Sequence, residues 1–270
     1  GSIVAIDPAT GGVLCMVSSP TYDPRILVGR QRGRSHAMLS QDTRHPLLNR
    51  SIMGQYPPGS TFKTSQALTF LQEGVITPST SFSCNHGFHF GHLKVGCHGH
   101  PSPLSLVPAI ATSCNGYFCW GLYYMFGNKK KYGSVQNAMT RWKDYMVSMG
   151  FGYKLGIDLP GEKRGMIPNA QFYDKAYRGS WNGLTIISIS IGQGEVNLTP
   201  LQIANLGATI ANRGYYYVPH VVQEIEDEKL DTLYTRRHYT MVSREHYETV
   251  VEGMRRSVLG GTCRAANNPW

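Results

Sequence analysis

Residues 55–63 have the sequence QYPPGSTFK, and a helical pattern, TSQALTFLQEG, begins immediately after it. Two prolines and a glycine form a turn that leads to Ser60, and Lys63 follows three residues later. If Ser60 begins the helix, its side chain and that of Lys63 lie on one face of the first turn. The alternative is that Ser60 only caps the helix and that Lys63 is an ordinary solvated side chain.

This pair of residue types suits acyl transfer. A serine hydroxyl is a weak nucleophile at neutral pH, and a partly buried lysine with a lowered pKa can accept its proton. The free N–H groups at a helix start stabilise a developing oxyanion. The spacing S-x-x-K alone is weak evidence, because roughly one copy arises by chance in a chain of this size.

A second hydroxyl and an amide would have to relay the proton and hold the substrate. The sequence offers three S-x-N triplets, which begin at Ser83, Ser113 and Ser180. Only Ser113-Cys114-Asn115 lies at a break between two apolar helical patterns, where short side chains can reach a cleft. Ser113 and Asn115 are therefore the preferred partners of the Ser60 helix.

Helix and strand patterns alternate along the rest of the chain. Period-two alternation predicts strands, and apolar residues at helical spacing with caps and Gly or Pro stops predict helices. The predicted elements are a hairpin at 2–19, a long connection at 20–59, helices at 62–73, 104–112, 116–126, 135–149, 200–213 and 243–259, an aperiodic loop at 81–103, and a hairpin between 215–225 and 232–242.

Composition places this chain of 270 residues, 41% of them hydrophobic, among globular domains. The net charge of +9 and the isoelectric point near 9.3 favour an anionic partner. Nucleic acid is not expected, because no DNA-binding zinc-finger spacing, recognition-motif aromatics or phosphate-binding glycine loop accompanies the basic residues. No apolar run approaches the roughly 18 to 20 residues that a membrane-spanning helix needs.

Five blocks in order resemble the transpeptidase domain of class B penicillin-binding proteins, most closely the penicillin-binding protein 2 branch. They cover nearly the whole chain and read GSIVAIDPATGGVLCMVSSPTYDP, RSIMGQYPPGSTFK, AIATSCNGYF, GIDLPGEKRGMIPN and SISIGQGEVNLTPLQIANLGATIANRG. The resemblance implies the α/β (α+β) fold of serine β-lactamases and D,D-peptidases, with a helical lobe and an antiparallel sheet.

The resemblance also implies a reaction and its residues. Ser60 would attack peptidoglycan stem peptides that end in D-Ala-D-Ala, and β-lactam antibiotics would acylate it. Lys63 would deprotonate Ser60, Ser113 would shuttle the proton, Asn115 would hold the substrate, and the Ser60 N–H would form half of an oxyanion hole. Catalysis would need no cofactor. The implied location is the periplasmic face of the inner membrane, with an anchor outside this chain and a membrane glycosyltransferase as partner.

The third motif of the family, Lys-Thr-Gly or Lys-Ser-Gly, does not occur in the sequence. The last residues, VLGGTCRAANNPW, resemble the segment just ahead of that motif. We therefore expect a transpeptidase domain over 1–270 that is incomplete at its C-terminus, lacks sheet strands and is impaired in catalysis. Without those strands, the first hairpin would expose apolar surface.

The loop at 81–103 and the second motif contain a possible metal site. Cys97 and His100 have C-x-x-H spacing, and Cys84 and Cys114 are near enough in sequence to complete a tetrahedral set. From spacing alone, free thiols and loop histidines are an equal alternative, and His98 competes with His100. The resemblance favours a structural zinc on Cys84, Cys97, His100 and Cys114, which would pin the loop to the second motif.

Two other functions compete with transpeptidation. A β-lactamase or β-lactam sensor would use the same fold, although the GIDLPGEKRGMIPN and IGQGEVNLTPLQ blocks favour the transpeptidase. A catalytically inactive, zinc-stapled module that binds the cell wall or an assembly partner is the third hypothesis, and the missing third motif is its support.

Overall fold

The predicted amino-terminal hairpin forms in the computed structural model, which describes residues 1–268. Strand β1 (Ser2–Ile6) pairs antiparallel with β2 (Val13–Ser18), and Asp7 closes the turn by accepting the N–H of Gly11 through its backbone oxygen. The outer surface of the hairpin is apolar and exposed, as predicted: Ile3 is 64% and Leu14 66% exposed.

Helices dominate the rest of the described chain, and its other strands are short. Within residues 1–268 the strands form three two-stranded antiparallel sheets, β1–β2, β3–β4 and β5–β6. The further elements are α1 (Arg32–Gln41), α2 (Arg50–Met53), α3 (Lys63–Gln72), β3 (Gly87–Phe90), β4 (Leu93–Gly96), α4 (Leu106–Ala111), α5 (Asn115–Gly127), α6 (Lys129–Tyr132), α7 (Val135–Ser148), α8 (Ala170–Tyr177), α9 (Pro200–Ala211), β5 (Tyr215–Tyr216), α10 (Thr232–Thr235), β6 (His238–Tyr239) and α11 (Arg244–Gly260).

Helix α3 lies at the centre of the larger core. All of its residues from Lys63 to Leu71 are buried, which is the pattern of a helix surrounded by other elements. Phe62, just before α3, packs against Trp142 of α7 and Phe151 with ring centroids 6.2 and 5.8 Å apart. A smaller core joins the first hairpin to α9 through Leu201.

Helix ends follow the predicted caps. The hydroxyl of Thr199 accepts the N–H of Gln202, whose side chain accepts the N–H of Thr199, so α9 starts with a complete capping box. Ser134 accepts the N–H of Asn137 at the start of α7. These caps fix where the two helices begin, and the apolar stripe of α7 is buried at Ala138, Met139, Trp142, Tyr145 and Met146.

Several stretches contain more structure than predicted, and α6 and α8 lie in no predicted element. The connection at 20–59 includes α1 and α2, and the loop at 81–103 contains the β3–β4 hairpin. Conversely, the predicted hairpin over 215–225 and 232–242 pairs only at β5 and β6, and its second half begins with α10. None of the helices within residues 1–268 is long and apolar enough to cross a membrane.

Candidate active site and metal centre

Ser60 lies in a 3₁₀ turn, Gly59–Phe62, that leads directly into α3. Pro58 occupies the position of the N-cap, and no side chain caps this turn, so the alternative of Ser60 as a helix cap is wrong. The Ser60 side chain is exposed. It therefore belongs to the surface of the site, at a helical start whose first N–H groups have no partner within the turn.

The backbone of this turn is held by an unusually close contact with Gly192. The N–H of Gly59 donates to the oxygen of Gly192 at 2.9 Å. A Cβ at Gly192 would lie 2.3 Å from the Gly59 oxygen and 2.7 Å from Phe62 Cβ, and Gly192 has a φ of +69°. Only glycine permits both this conformation and this approach. Sequence reasoning missed Gly192, although it stands in the SIGQG block.

Lys63 is buried, with 2% of its surface exposed, so the alternative of a solvated lysine is wrong. Its amine donates to the Ser113 backbone oxygen at 2.7 Å, to Ser113 Oγ at 3.0 Å and to Asn115 Oδ1 at 2.6 Å. Within residues 1–268 no hydrogen bond joins this amine to Ser60 Oγ. The lysine thus bridges α3 to the second motif.

The surroundings of Lys63 also set its proton affinity. Burial lowers the pKa of Lys63 from its usual 10.5 to about 8, while the nearby thiols of Cys97, Cys114 and Cys119 act in the opposite direction. The Phe118 ring, which sequence reasoning missed, lies 5.8 Å from the amine and offers it a cation–π contact. A lysine in this state can accept a proton near neutral pH.

The second motif forms a corner between α4 and α5. Ser113 has a φ of +54°, which is uncommon for a residue with a side chain and is held here by two backbone bonds, Ser113 N–H to Ile110 and Cys114 N–H to Ala109. Such strained residues cluster at functional sites. Asn115 is the first residue of α5. We call residues 113–115 the second-motif corner.

Ser60 and Ser113 line one cavity of about 320 Å³. Thr61 and Thr64 add hydroxyl groups to the same edge, and the opposite wall is apolar. That wall comes from α4, α9 and α11 through Ile110, Ile203, Leu206, Ile210, Met254 and Val258. The cavity thus joins both predicted serines to an apolar surface, which is the usual composition of a small-molecule site.

The four predicted metal ligands lie together. The ligand atoms of Cys84, Cys97, His100 and Cys114 are all within 4.8 Å of one another. His100 Nε2 is 3.3 Å from Cys97 Sγ, and its Nδ1 lies 2.8 Å from the Pro101 oxygen, which favours a proton on Nδ1 and a free Nε2. His98 is exposed and not part of the cluster. Three thiols and one imidazole are a typical donor set for tetrahedral zinc.

The start of α5 favours a thiolate at Cys97, whereas burial raises the pKa of Cys84 and Cys114. The N–H of Asn115 donates to Cys97 Sγ at 3.2 Å, and that of Tyr117 donates to Cys114 Sγ at 3.3 Å. Burial raises the pKa of the Cys97 thiol, but this N–H and the His100 ring outweigh it, so the pKa is lowered overall. Thiolate is the form that binds a metal.

Asn115 connects the cluster to the lysine. Its backbone N–H bonds Cys97, its side-chain amide donates to the Gly96 oxygen at 2.8 Å, and its side-chain oxygen accepts from Lys63. The hydrogen bond to the Gly96 oxygen could not be predicted from the sequence. Every residue has a backbone oxygen, and residue type does not show which of them will contact Asn115. The position of the 81–103 loop therefore determines the orientation of the Asn115 side chain.

Known proteins share this sequence and fold. A family model described as the penicillin binding protein transpeptidase domain matches residues 1–270. The chain therefore belongs to the penicillin-binding protein transpeptidase family.

One curated relative and one solved structure support this assignment. The chain is 36% identical over 236 residues to the peptidoglycan D,D-transpeptidase MrdA of Acinetobacter baumannii. The aligned region covers 85% of this chain and 33% of that relative. The chain thus spans about a third of the length of this curated relative. The crystal structure of Pseudomonas aeruginosa PBP2 in complex with WCK 5153 has a TM-score of 0.85 and 31% identity, and covers 100% of this chain and 60% of that one.

A third comparison concerns a covalent complex. Penicillin-binding protein A from Mycobacterium tuberculosis, solved as an imipenem acyl-enzyme complex, has a TM-score of 0.73 and 25% identity. The similarity covers 95% of this chain and 57% of that one.

Proposed function

We propose that this chain is the acyl-transfer domain of a peptidoglycan D,D-transpeptidase, with Ser60 as nucleophile. The observation that carries the proposal is the buried Lys63 amine, which bonds both side chains of the second motif at the edge of a cavity that Ser60 also lines. Family membership and the acyl-enzyme of the mycobacterial relative support it.

The reaction follows from these positions. Neutral Lys63 accepts the proton of Ser60 Oγ, which attacks the carbonyl carbon of the penultimate D-Ala of a stem peptide. The free N–H groups of the 3₁₀ turn stabilise the oxyanion. Ser113 passes the proton to the leaving D-Ala amine, and an amine of a second stem peptide then displaces Ser60 to form the cross-link. A β-lactam carbonyl would react with Ser60 in the same way.

Acylation by a labelled penicillin tests the nucleophile. We expect covalent label on Ser60 of the full-length protein, none on Ser60→Ala, and undiminished label on Thr61→Ala, whose hydroxyl lines the same cavity. Label on Ser60→Ala, or none on the parent, would refute the assignment. Slow release of the penicilloyl group fits a transpeptidase, whereas rapid turnover would identify a β-lactamase.

The Cys84, Cys97, His100 and Cys114 side chains would hold a structural zinc ion in this proposal. The ion would neutralise the clustered thiolates and cross-link the 81–103 loop to the second-motif corner. Metal analysis of the purified protein tests this: we expect one zinc per chain, lost in Cys97→Ser and retained in His98→Gln. A parent protein without zinc would contradict the proposal.

Partners and location belong to the whole protein. The family membership supports peptidoglycan as substrate, a periplasmic position and a membrane glycosyltransferase as partner. The extent of the domain and its completion by a third motif stay predictions. Labelling of the full-length protein, compared with that of residues 1–270, measures how much this chain achieves alone.

A further inference from the structure

A group of partly exposed aromatic rings lies on the outer side of α5 and the β3–β4 hairpin, and the acyl-transfer site does not use it. Tyr124 is 50% exposed and Phe90 39%. The rings of Phe82, Trp120 and Tyr123 are half-buried beside them. We call these five residues the aromatic face. Solvated helix surfaces rarely collect so many rings, and exposed apolar patches mark binding sites.

The rings support one another. The Tyr124 ring is nearly parallel to those of Phe82 and Trp120, with centroids 5.6 and 5.8 Å apart. Phe90 lies 5.1 Å from Tyr123, and Trp120 contacts the buried Phe88 at 4.7 Å. The aromatic face is therefore a preformed surface, which loses little conformational freedom on binding.

The charge around the aromatic face is positive. No Asp or Glu occurs between residues 74 and 143 of the sequence. Lys94, Lys129 and Lys130 are exposed, and none of them forms an ion pair within residues 1–268. Asn128 and Tyr123 line a shallow cavity beside Tyr124. The face thus suits a ligand with apolar surfaces, hydrogen-bonding groups and negative charge.

A glycan strand has these properties. The C–H groups on one side of a pyranose ring carry partial positive charge and stack on the negative face of an aromatic ring. Hydroxyl and N-acetyl groups can bond the Asn128 amide and the tyrosine hydroxyls. The stem peptides carry carboxylates, and sugars without a stem peptide have a free lactyl carboxylate, so the exposed lysines attract the polymer.

The aromatic face and the second-motif corner share helix α5. Asn115 is the first residue of α5 and Tyr124 lies nine residues later, about 13 Å along the axis. At 3.6 residues per turn the two side chains leave opposite sides of the helix, so a stem peptide from a strand on this face would reach the second-motif corner by passing around α5.

We propose that the aromatic face binds the glycan strand of peptidoglycan and so presents stem peptides to the acyl-transfer site. The proposal rests on the proposed function, because it takes its substrate polymer from there. Tyr124 and Phe90 provide the specificity for a sugar polymer. Lys94, Lys129 and Lys130 add electrostatic attraction.

Binding of peptide-free glycan strands to the full-length protein tests the proposal. The strands are prepared from sacculi with an amidase, and binding is measured by calorimetry. We expect Phe90→Ser/Tyr124→Ser to weaken binding by about tenfold or more. The matched control is Tyr239→Ser, which removes another exposed tyrosine, 68% accessible in β6, and should bind like the parent. Polyglutamate should not displace the strands.

Three results would overturn the proposal: no binding by the parent, equal binding by the double variant, or displacement by polyglutamate. Self-association that the double variant abolishes, with no glycan binding, would make the face an interface between copies instead. Penicillin labelling separates the two proposals. If penicillin labels Ser60 of the parent protein but the protein binds no glycan, only this inference is refuted. If penicillin does not label the parent protein, the proposed function is refuted. Equal labelling of the double variant and the parent shows that the variant is folded.

Discussion

The nucleophile helix and the second-motif corner contribute the two halves of one site, yet they are held in different ways. Helix α3 is buried along its length, and its leading turn is fixed by a backbone contact with Gly192. The second-motif corner has a strained Ser113 and depends on a loop that ends in the thiol and imidazole cluster.

This difference indicates which perturbations each half will resist. Because α3 is packed in the hydrophobic core, we expect Lys63 and the turn that bears Ser60 to keep their backbone positions when the cluster is lost. Asn115, by contrast, takes its position from Cys97 and Gly96, which lie beside the cluster at the end of the β3–β4 hairpin. The bridge between the halves is the Lys63 amine, so its removal should have the largest effect.

Substitution of Lys63 by Met removes that bridge and the proposed base. We expect the rate constant of penicillin acylation to fall by roughly a hundred- to ten-thousand-fold, the range typical of general-base catalysis. Lys175→Met, an exposed lysine of α8, is the matched control and should acylate at the parent rate. A Lys63→Met variant that retains its fold and acylates within threefold of the parent would eliminate Lys63 as the base.

The pH dependence of acylation tests the state of the same amine. Because burial lowers the pKa of Lys63 to about 8, the neutral form that can accept a proton grows about tenfold per pH unit below 8 and levels off above it. The acylation rate should follow this curve in a stopped-flow measurement. A rate that keeps rising to pH 10 would mean that the Lys63 amine has the ordinary proton affinity of a solvated lysine.

Loss of the cluster should separate the two halves of the site. In Cys97→Ser we expect acylation about tenfold slower, a loss typical of removing a group that orients a functional side chain. Hydrogen exchange should accelerate in the first turn of α5 but not in α3. Cys15→Ser, outside the cluster, should leave both unchanged. Equal loss of protection in α3 would show that the cluster supports the whole domain and not the corner alone.

The sequence predicts the first half of the site better than the second. The Pro-Pro-Gly turn and the helical period that follows predict where α3 starts, because local residues determine that helix. The bonds of Lys63 to the second motif and the choice of His100 over His98 depend on how distant segments pack. Such contacts follow from tertiary structure and not from spacing.

The missed elements have physical reasons as well. Helix α1 has the sequence RGRSHAMLSQ, buries only Leu39 and has no apolar stripe, so periodicity could not reveal it. The β3–β4 hairpin has strands of four residues in a Gly- and His-rich segment, and the N–H of Cys97 donates to the His86 oxygen at its base. The β3–β4 hairpin is stabilised by neighbours in space, since Phe88 is buried against Trp120 of α5.

The C-terminal end of α3 allows the test with the smallest expected effect on activity. Glu73, 7% exposed, follows α3 and accepts hydrogen bonds from Tyr132, Tyr145 and Arg141 at 2.6 to 2.8 Å. Lys131 also pairs with it at 2.6 Å. This ion cluster joins α3 to α6 and α7 without thiols, so it is the protein-only counterpart of the cluster at the second-motif corner.

Glu73→Gln should therefore reduce stability and leave chemistry almost intact. We expect a loss of about 2 kcal/mol in the free energy of unfolding, as for hydrogen bonds to a charged group, because Lys131 and Arg141 are half-exposed and can return to water. Acylation should change by less than about twofold. Glu252→Gln, which breaks exposed pairs on α11, should leave the free energy of unfolding nearly unchanged.

The difference in the free energy of unfolding between the parent and Glu73→Gln should decrease at low pH. Burial raises the pKa of Glu73, but its hydrogen bonds outweigh that effect and lower the pKa from 4.5 to about 2. The stabilisation by Glu73 is thus complete above pH 4.5 and is lost as the pH falls towards 2. Denaturant unfolding of the parent and Glu73→Gln should converge over this interval. Curves that stay equally far apart at pH 2.5 would show that Glu73 stabilises the fold by packing and not by its charge.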